Sequence, residues 1–313
     1  MSSPKCLIVD SMHESLFDML TNIGWAYDYE PTITRDEIRK KAAGYDGLVV
    51  RSKTTIDRDL LGDKPTIKVI ARAGAGIDNL DEAYLLQAGV HIVHAAEGNR
   101  DAVGEYAIGA LLSLMRKLPK GDAEVRNLKW DREGNRGEEV MGKTVGLIGY
   151  GNMGRSFARR LSGFECKVLA YDKYKTNYSD AFAEEAPMER LWAEADILSL
   201  HIPLTVETRA MVDESYLNRF HKGIIFLNTS RGEIVPMAAV VSGFTLGKIR
   251  GAVLDVLENE KLPTLTPAQA QSFNQLRTRT DVIFTPHIAG WTYESHVKIN
   301  VALTNKMKAL KLA

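Results

Sequence analysis

Three segments late in the chain each end an apolar run on groups capable of chemistry. Ile224-Ile-Phe-Leu-Asn-Thr229-Ser230-Arg231-Gly232 delivers a guanidinium, Ala252-Val-Leu-Asp255-Val-Leu-Glu258-Asn-Glu260 delivers carboxylates, and Val282-Ile-Phe-Thr-Pro286-His287-Ile-Ala289-Gly290 delivers an imidazole. Imidazole gains and loses a proton near neutral pH. Guanidinium is a fixed cation whose donors form a planar fork. In an open parallel sheet the C-terminal strand ends gather at one edge, where ligands bind. Carried on such ends, the arginine, a carboxylate and the histidine become neighbours in space.

An earlier segment carries a second chemistry. Thr144-Val-Gly-Leu-Ile-Gly149-Tyr150-Gly151-Asn152-Met153-Gly154 contains the pattern GxGxxG, led in by an apolar strand and followed by the helical stretch Arg155–Leu161. A second strand, Lys167–Tyr171, ends at Asp172, which stands 18 residues beyond Gly154. Glycine triplets alone are common, but strand, helix and acid in register describe a dinucleotide turn. Gly149 permits the tight turn, Gly151 lets the backbone approach a pyrophosphate, and Gly154 lets helix and strand pack closely. The helix N-terminus offers free N–H groups and the positive end of its dipole to phosphates. Asp172 suits ribose hydroxyls and repels a 2′-phosphate, which favours NAD over NADP, with Lys173 and Lys175 weakening that preference.

The elements that must position these groups recur along the whole chain. Short apolar runs lie at Cys6–Val9, Gly47–Val50, Lys68–Ala71, His91–Val93, Thr144–Ile148, Lys167–Tyr171, Ile197–Leu200, Ile224–Leu227, Ala252–Val256 and Val282–Phe284, with amphipathic segments between most of them. Strands alternating with helices imply βαβ units, and runs apolar on both faces imply sheets covered on both sides. The clearest helix spans Asn99–Leu118, with Val103, Ala107, Leu111, Leu114 and Leu118 on one stripe and Pro119 after its end. The polar stretch Lys120–Gly142, which contains Trp130, reads as an extended arm. The fold class expected is α/β with two doubly wound parallel-sheet domains.

The bulk numbers bound the function. The 313 residues suit two domains. Forty basic and forty acidic side chains cancel, so no charge excess advertises nucleic acid or an anionic membrane. The longest near-apolar stretch, Tyr106–Met115, is too short to span a bilayer, and the start of the sequence shows no leader-like apolar region. Cys6 and Cys166 both sit in apolar strands and read as free thiols of a reducing, cytoplasmic setting. His13, His91, His94, His201, His221 and His296 show no metal-ligand spacing, so no metal site is expected.

Taken in order, the motifs Arg72-Ala-Gly74-Ala75-Gly76-Ile-Asp-Asn-Leu-Asp81, Glu97-Gly-Asn-Arg-Asp-Ala-Val-Gly-Glu105, Gly149–Gly154, His201-Ile-Pro203, Asn228–Gly232, Leu254-Asp255-Val256 with Glu260, and Thr285-Pro-His287-Ile-Ala-Gly290 resemble the D-isomer-specific 2-hydroxyacid dehydrogenase family over essentially the whole chain. Within it the chain is most similar to short phosphoglycerate-type members without a regulatory domain. The resemblance implies a discontinuous, flavodoxin-like substrate domain (1–98 and 288–313) and a Rossmann NAD-binding domain (99–287), joined at two crossings that make a hinged cleft. It implies His287 as proton donor and acceptor, Glu260 as its orienting partner and Arg231 as the cation on substrate carboxylate and C2 oxygen. Motif spacing selects Glu260 over Glu258, although the family's usual proline after this glutamate is replaced by Lys261 and a longer polar segment, 262–281, follows.

Around the cofactor the resemblance implies Gly149, Tyr150, Gly151, Asn152, Met153, Gly154, Asp172, His201, Pro203, Thr208, Thr229, Ser230, Arg231, Asp255, His287, Ala289 and Gly290, with Asp255 on the nicotinamide amide. Around the substrate it implies the backbone of Gly74, Ala75 and Gly76 with Arg231 and His287. Arg51, Ser52 and Lys53, following a strand, are expected to hold a substrate phosphate. The partners implied are a small anionic 2-hydroxy or 2-keto acid and a second copy of the chain, the homodimer forming through the Asn99–Leu118 helix and the arm. The substrate expected first is 3-phosphoglycerate or 3-phosphohydroxypyruvate, a step of serine biosynthesis. A glyoxylate, hydroxypyruvate or D-lactate type of enzyme shares every catalytic residue, and an NAD-sensing corepressor is the non-enzymatic alternative.

Overall fold

The computed structural model describes residues 3–312. The chain divides into two compact units: one runs to Arg100 and resumes at Trp291, and the other is Asp101–Gly290. The second division falls after Gly290 rather than directly after His287, so the whole turn from His287 to Gly290 stays with the larger unit. The reason is local: a carboxylate of that unit holds the turn's backbone, as described below.

In the smaller unit, β1 (Lys5–Ile8), β2 (Ala26–Tyr29), β3 (Gly47–Val50), β4 (Val69–Arg72) and β5 (His91–His94) form one parallel sheet in the order β2-β1-β3-β4-β5. This is the flavodoxin-like winding. Side chains alternate across a strand, and here both faces are covered. Cys6, Ile8, Val49, Val69 and Val93 pack beneath Leu303 and Met307 of the helix Tyr293–Ala309. Leu7, Val9, Leu48, Val50 and Ile70 form the opposite layer.

The larger unit holds β6 (Thr144–Ile148), β7 (Lys167–Tyr171), β8 (Glu184–Glu185), β9 (Ile197–Leu200), β10 (Ile224–Asn228), β11 (Ile249–Leu254) and β12 (Val282–Phe284). They form a seven-stranded sheet in the order β12-β11-β10-β9-β6-β7-β8, every pair parallel. The order reverses between β6 and β9, the switch point of a Rossmann sheet. Phe226 and Leu198 face one core layer, while Leu227 and Ile197, their sequence neighbours, face the other. Two apolar faces per strand explain the unbroken Val, Ile and Leu runs.

Two strands escape the sequence pattern. Both β2 and β8 are edge strands, half-covered and without an apolar run. The expected long helix also divides. It runs Arg100–Met115, Lys117 turns left-handed, and a second helix, Leu118–Arg126, begins with Pro119 in its first turn. Proline is tolerated there because first-turn N–H groups have no partner within the helix. The opening of the expected arm, as far as Arg126, is therefore helical. Among the described residues no helix is long and apolar enough to cross a membrane.

Candidate active site

Registry brings the catalytic candidates level. Asn228 at the end of β10 lies beside Leu254 of β11, which lies beside Phe284 of β12. The chains leaving these three ends carry Arg231, Glu260 and His287. Asn228 is 1% exposed and shapes the first exit: its Oδ1 accepts the Ser230 N–H at 3.0 Å and its Nδ2 donates to the Arg231 carbonyl at 3.0 Å. Arg231 donates from its guanidinium to the Ser230 carbonyl at 2.7 Å. Gly232 is required next, because a Cβ there would come within 1.9 Å of the Leu257 backbone. The Arg231 turn is thus pressed against the segment leading to Glu260.

The two glutamates have separate work. Glu258 accepts the Met237 N–H at 3.0 Å and so caps the helix Met237–Thr245, whose own N-cap residue, Pro236, makes no side-chain cap bond. Glu260 Oε1 lies 2.9 Å from His287 Nδ1. Both partners are about half exposed, at 45% and 50%, so the pair adds little to stability; it orients the ring. With Nδ1 on the carboxylate, Nε2 is the nitrogen left to exchange a proton with a ligand.

His287 has a left-handed backbone, φ 56°, which a non-glycine residue adopts only when its surroundings impose it. Those surroundings centre on Asp255, 1% exposed. Its Oδ1 accepts the Ile288 N–H at 2.8 Å and the Thr285 hydroxyl at 2.6 Å, and its Oδ2 accepts the Ala289 N–H at 2.9 Å. The Asp255 carbonyl accepts the His287 N–H at 2.8 Å. Tyr106, from the helix Arg100–Met115, hydrogen-bonds the Thr285 hydroxyl, and burial pushes its phenol up to about 12, so it stays protonated. Sequence reasoning put Asp255 on the cofactor and missed Thr285 and Tyr106. The contacts present make Asp255 the anchor of the His287 turn. A cavity of about 370 Å³ opens beside the pair, walled by Leu257, Leu262, Phe273, Phe284 and Pro286.

The glycine turn occupies the switch point. Gly149 has φ 92°, and a Cβ on it would meet the His201 carbonyl at 2.5 Å. A Cβ on Gly154 would meet the Gly149 carbonyl at 2.1 Å, so the close approach is between the helix Asn152–Leu161 and the turn itself. No protein atom lies within 4 Å of a Cβ on Gly151; protein packing does not require that glycine, and a cradle for a close-lying ligand does. Asn152 is exposed and Met153 part-exposed on the helix's first turn. Asp172 Oδ2 accepts the Tyr150 N–H at 2.9 Å and Oδ1 the Tyr174 N–H at 3.0 Å. Lys173 is paired with Glu207 and Lys175 donates to the Tyr150 carbonyl at 2.6 Å, so both neighbouring cations have partners of their own.

The remaining cofactor candidates divide by what their polar atoms already do. Thr229 Oγ1 is buried without a hydrogen-bond partner among the described residues. Ser230 donates its hydroxyl to the Leu200 carbonyl at 2.6 Å, stitching β10 to β9. Thr208 donates to the Pro203 carbonyl at 2.8 Å and so folds the loop after β9. His201 Nε2 is 3.0 Å from Ser199 Oγ, its ring lies 5.7 Å from that of Phe157, and burial depresses its pKa to about 4; it is a neutral wall. The Gly151 cradle, the orphaned Thr229 hydroxyl and the Asp172 carboxylate just after β7 together fit NAD.

In the smaller unit the Arg51 N–H donates to Asp10 Oδ2 at 2.6 Å, and its guanidinium lies 4.5 Å from the centre of the Trp291 ring. Ser52 is exposed. The Lys53 ammonium donates to the Pro31 and Ile33 carbonyls at 2.8 and 3.0 Å. The Gly74 N–H is donated to the Arg72 carbonyl at 2.9 Å. The Arg72 guanidinium lies where a Gly74 side chain would stand.

Comparison with known proteins places this geometry. Residues 108–289 match the model of the D-isomer specific 2-hydroxyacid dehydrogenase NAD binding domain. A D-3-phosphoglycerate dehydrogenase of Archaeoglobus fulgidus is 32% identical over 96% of this chain, which spans 56% of that protein's length. A hydroxypyruvate reductase of Thermotoga maritima is 32% identical over 88% of each chain. The solved D-lactate dehydrogenase of Aquifex aeolicus, complexed with NAD and lactic acid, superposes with a TM-score of 0.82 at 25% identity, covering 98% of this chain and 95% of that one. Glycine turn, level strand ends and these matches agree: the chain belongs to the D-isomer specific 2-hydroxyacid dehydrogenase family.

Proposed function

We propose that the protein is an NAD-dependent dehydrogenase acting at C2 of a small D-2-hydroxy acid. The observation that carries this reading is the 2.9 Å contact between His287 Nδ1 and Glu260 Oε1, made by the segments that leave β11 and β12 of the sheet holding the dinucleotide switch point. NAD, when bound, supplies or accepts the hydride at C2. His287 Nε2 gives a proton to the C2 oxygen during reduction and takes it back during oxidation. Glu260 keeps the ring aimed. Arg231 neutralises the substrate carboxylate and the charge that develops on oxygen. Thr229, Asp172 and the first turn of the Asn152–Leu161 helix hold the dinucleotide, with Asp172 favouring NAD.

The first substrate to test is 3-phosphoglycerate with its keto partner, a step of serine biosynthesis, because relatives bear that activity's name and Arg51 provides a cation after a strand. The hydroxypyruvate and glyoxylate reactions are the second reading, supported by the match to a hydroxypyruvate reductase along 88% of both chains. A smaller-unit role in holding substrate and a cytoplasmic setting complete the reading. Exposed Leu118, Val125, Leu128 and Trp130, at 57%, 51%, 96% and 80%, support a homodimer through the Leu118–Arg126 helix and the segment after it. The test mixes protein, NADH and a panel of 2-keto acids and follows absorbance. Loss of NADH with one of them, abolished by Arg231→Ala or His287→Ala, supports the assignment; unchanged turnover in either variant removes it. Arg51→Ala should raise the KM for phosphohydroxypyruvate far more than that for NADH.

A further inference from the structure

A second cavity of the larger unit, of about 360 Å³, lies at the opposite edge of its sheet from the catalytic candidates. Ile225 near the start of β10, Gly251 of β11, and Leu114 and Met115 in the last turn of the helix Arg100–Met115 make an apolar floor. Thr280 and Asp281 reach it just before β12 begins. Arg231, Glu260 and His287 follow the other, C-terminal ends of these same three strands. A molecule bound in this cavity therefore meets none of the proposed reacting groups.

The rim is cationic. Lys117 and Lys120 bracket the start of the helix Leu118–Arg126, Arg136 comes from the segment after it, and Arg250 comes from β11. That segment is held against the floor: Glu138 donates its N–H to the Met115 carbonyl at 2.9 Å, and a Cβ on Gly137 would meet the same carbonyl at 2.6 Å. Two acids also face the cavity, and each already holds a cation. Glu138 pairs with Arg250 at 2.6 Å and with Lys143 at 2.9 Å, and Asp281 pairs with Arg279 at 2.7 Å. Lys120 and Arg136 draw on Glu124 and Glu133 at 3.0 and 2.6 Å. Lys117 donates to the Gly134 carbonyl at 3.2 Å and has no carboxylate partner among the described residues. Counted with these direct partners, six cations (Lys117, Lys120, Arg136, Lys143, Arg250, Arg279) meet four carboxylates (Glu124, Glu133, Glu138, Asp281), although the chain as a whole is neutral. Two positive charges are left for a ligand.

The helix beginning at Leu118 adds to that field. No side chain caps its N-terminus, so the positive end of its dipole reinforces the two lysines beside it. We infer that this cavity binds a small organic polyanion, a carbon skeleton bearing phosphate or several carboxylates. Its carbon part rests on Leu114, Met115 and Ile225, and its charges meet Lys117, Lys120, Arg136 and Arg250. The site is separate from the one proposed for the 2-hydroxy acid, and the inference holds whichever reaction the chain catalyses. None of Leu118, Val125, Leu128 and Trp130, the residues proposed for the homodimer, lines it.

The probes are tricarballylate and glycerol 3-phosphate, neither of which is a 2-hydroxy acid. Calorimetric titration of the full chain, saturated with NADH, should show binding of at least one of them, weaker as sodium chloride is raised; the two arms tell carboxylate from phosphate recognition. At saturation the Tm should rise by about 2 °C or more. Lys117→Asn, which keeps a residue tolerant of the left-handed backbone at that position (φ 54°), and Arg136→Gln should each weaken binding about threefold or more. Glu138→Gln removes a competing carboxylate and should tighten binding severalfold, a gain that misfolding does not mimic. Arg51→Ala, in the other unit, should leave the affinity unchanged. Should Glu138→Gln fail to fold, as judged by circular dichroism, the Lys117 and Arg136 variants decide. Binding of neither probe, wild-type affinity in both Lys117→Asn and Arg136→Gln, or loss of binding in Arg51→Ala overturns the site.

Discussion

Asp255 Oδ2 accepts the Ala289 N–H at 2.9 Å, although the two residues stand 34 positions apart in the chain. With the Ile288 N–H and the Thr285 hydroxyl on Oδ1, this buried carboxylate fixes the turn in which His287 holds its left-handed conformation. Asp255→Ala leaves those two N–H groups without their acceptor, at a cost of about 1–3 kcal/mol each if they stay buried. We expect a lower Tm and a fall in kcat well beyond tenfold. Wild-type turnover in a destabilised variant would show that the turn keeps its shape by other means.

Tyr106→Phe and Thr285→Val probe the same anchor from farther away. Each removes one hydroxyl of the chain Tyr106–Thr285–Asp255 while keeping volume. Stability should fall by about 1 kcal/mol, and kcat severalfold, with the KM for NADH little changed. Thr285→Ser keeps the hydroxyl and should restore most of kcat. Steady-state kinetics of the three variants side by side provides the check.

Glu260→Gln keeps a hydrogen-bonding partner for His287 but removes the charge. General acid–base groups contribute about 10²–10⁴-fold, and the orienting partner should account for a part of that, so kcat is expected to drop about 10–100-fold. Glu258→Gln should instead lower the Tm slightly, because the Met237 N–H loses a charged acceptor, and leave kcat close to wild type. Reversal of the two outcomes would exchange the assigned roles.

His201 makes stability depend on pH. Its folded pKa, about 4, lies below the ordinary 6.5 because burial disfavours the charged ring. Between those values the unfolded chain binds the proton and the folded one does not. Stability is therefore complete above about pH 6.5 and declines as pH falls towards 4, by roughly 3 kcal/mol at most. Urea midpoints from pH 7 to pH 4.5 should fall more steeply for the wild type than for His201→Gln. Parallel slopes would refute the contribution.

Asp172→Ser removes the charge that would face a 2′-phosphate. Its KM for NADPH should drop about tenfold or more and its KM for NADH should rise. The side chain also accepts the Tyr150 and Tyr174 N–H groups, so serine, which retains an acceptor, is preferable to alanine. Kinetics with both nucleotides reads the ratio directly.

Interior strands were legible because both of their faces are covered, which forces continuous apolar runs. The edge strands β2 and β8 have one neighbour each and no such run, so local composition hides them. The glycine turn was legible residue by residue, since Gly149 and Gly154 answer to steric demands that spacing encodes. Glu260 was only half legible: two acids stand two positions apart, and the choice between them depends on where the helix beginning at Met237 needs a cap. The internal partners of Lys53 and Gly74 were not legible, because strand-end position shows which residues reach the loop, not which carbonyls in that loop accept their donors. Asp255 was identified, but its bonding to a turn more than thirty residues later is a long-range fact without a local signature.

The interruption of the smaller unit also orders events during synthesis. Its five strands are complete once residue 94 has been made, yet Cys6, Ile8, Val49, Val69 and Val93 lack the Leu303 and Met307 cover until the helix Tyr293–Ala309 has emerged. The inserted unit carries its own two core layers and can close first. A nascent chain stalled near Gly290 would therefore expose a sticky, half-roofed sheet beside a finished neighbour, a natural target for chaperones and proteases.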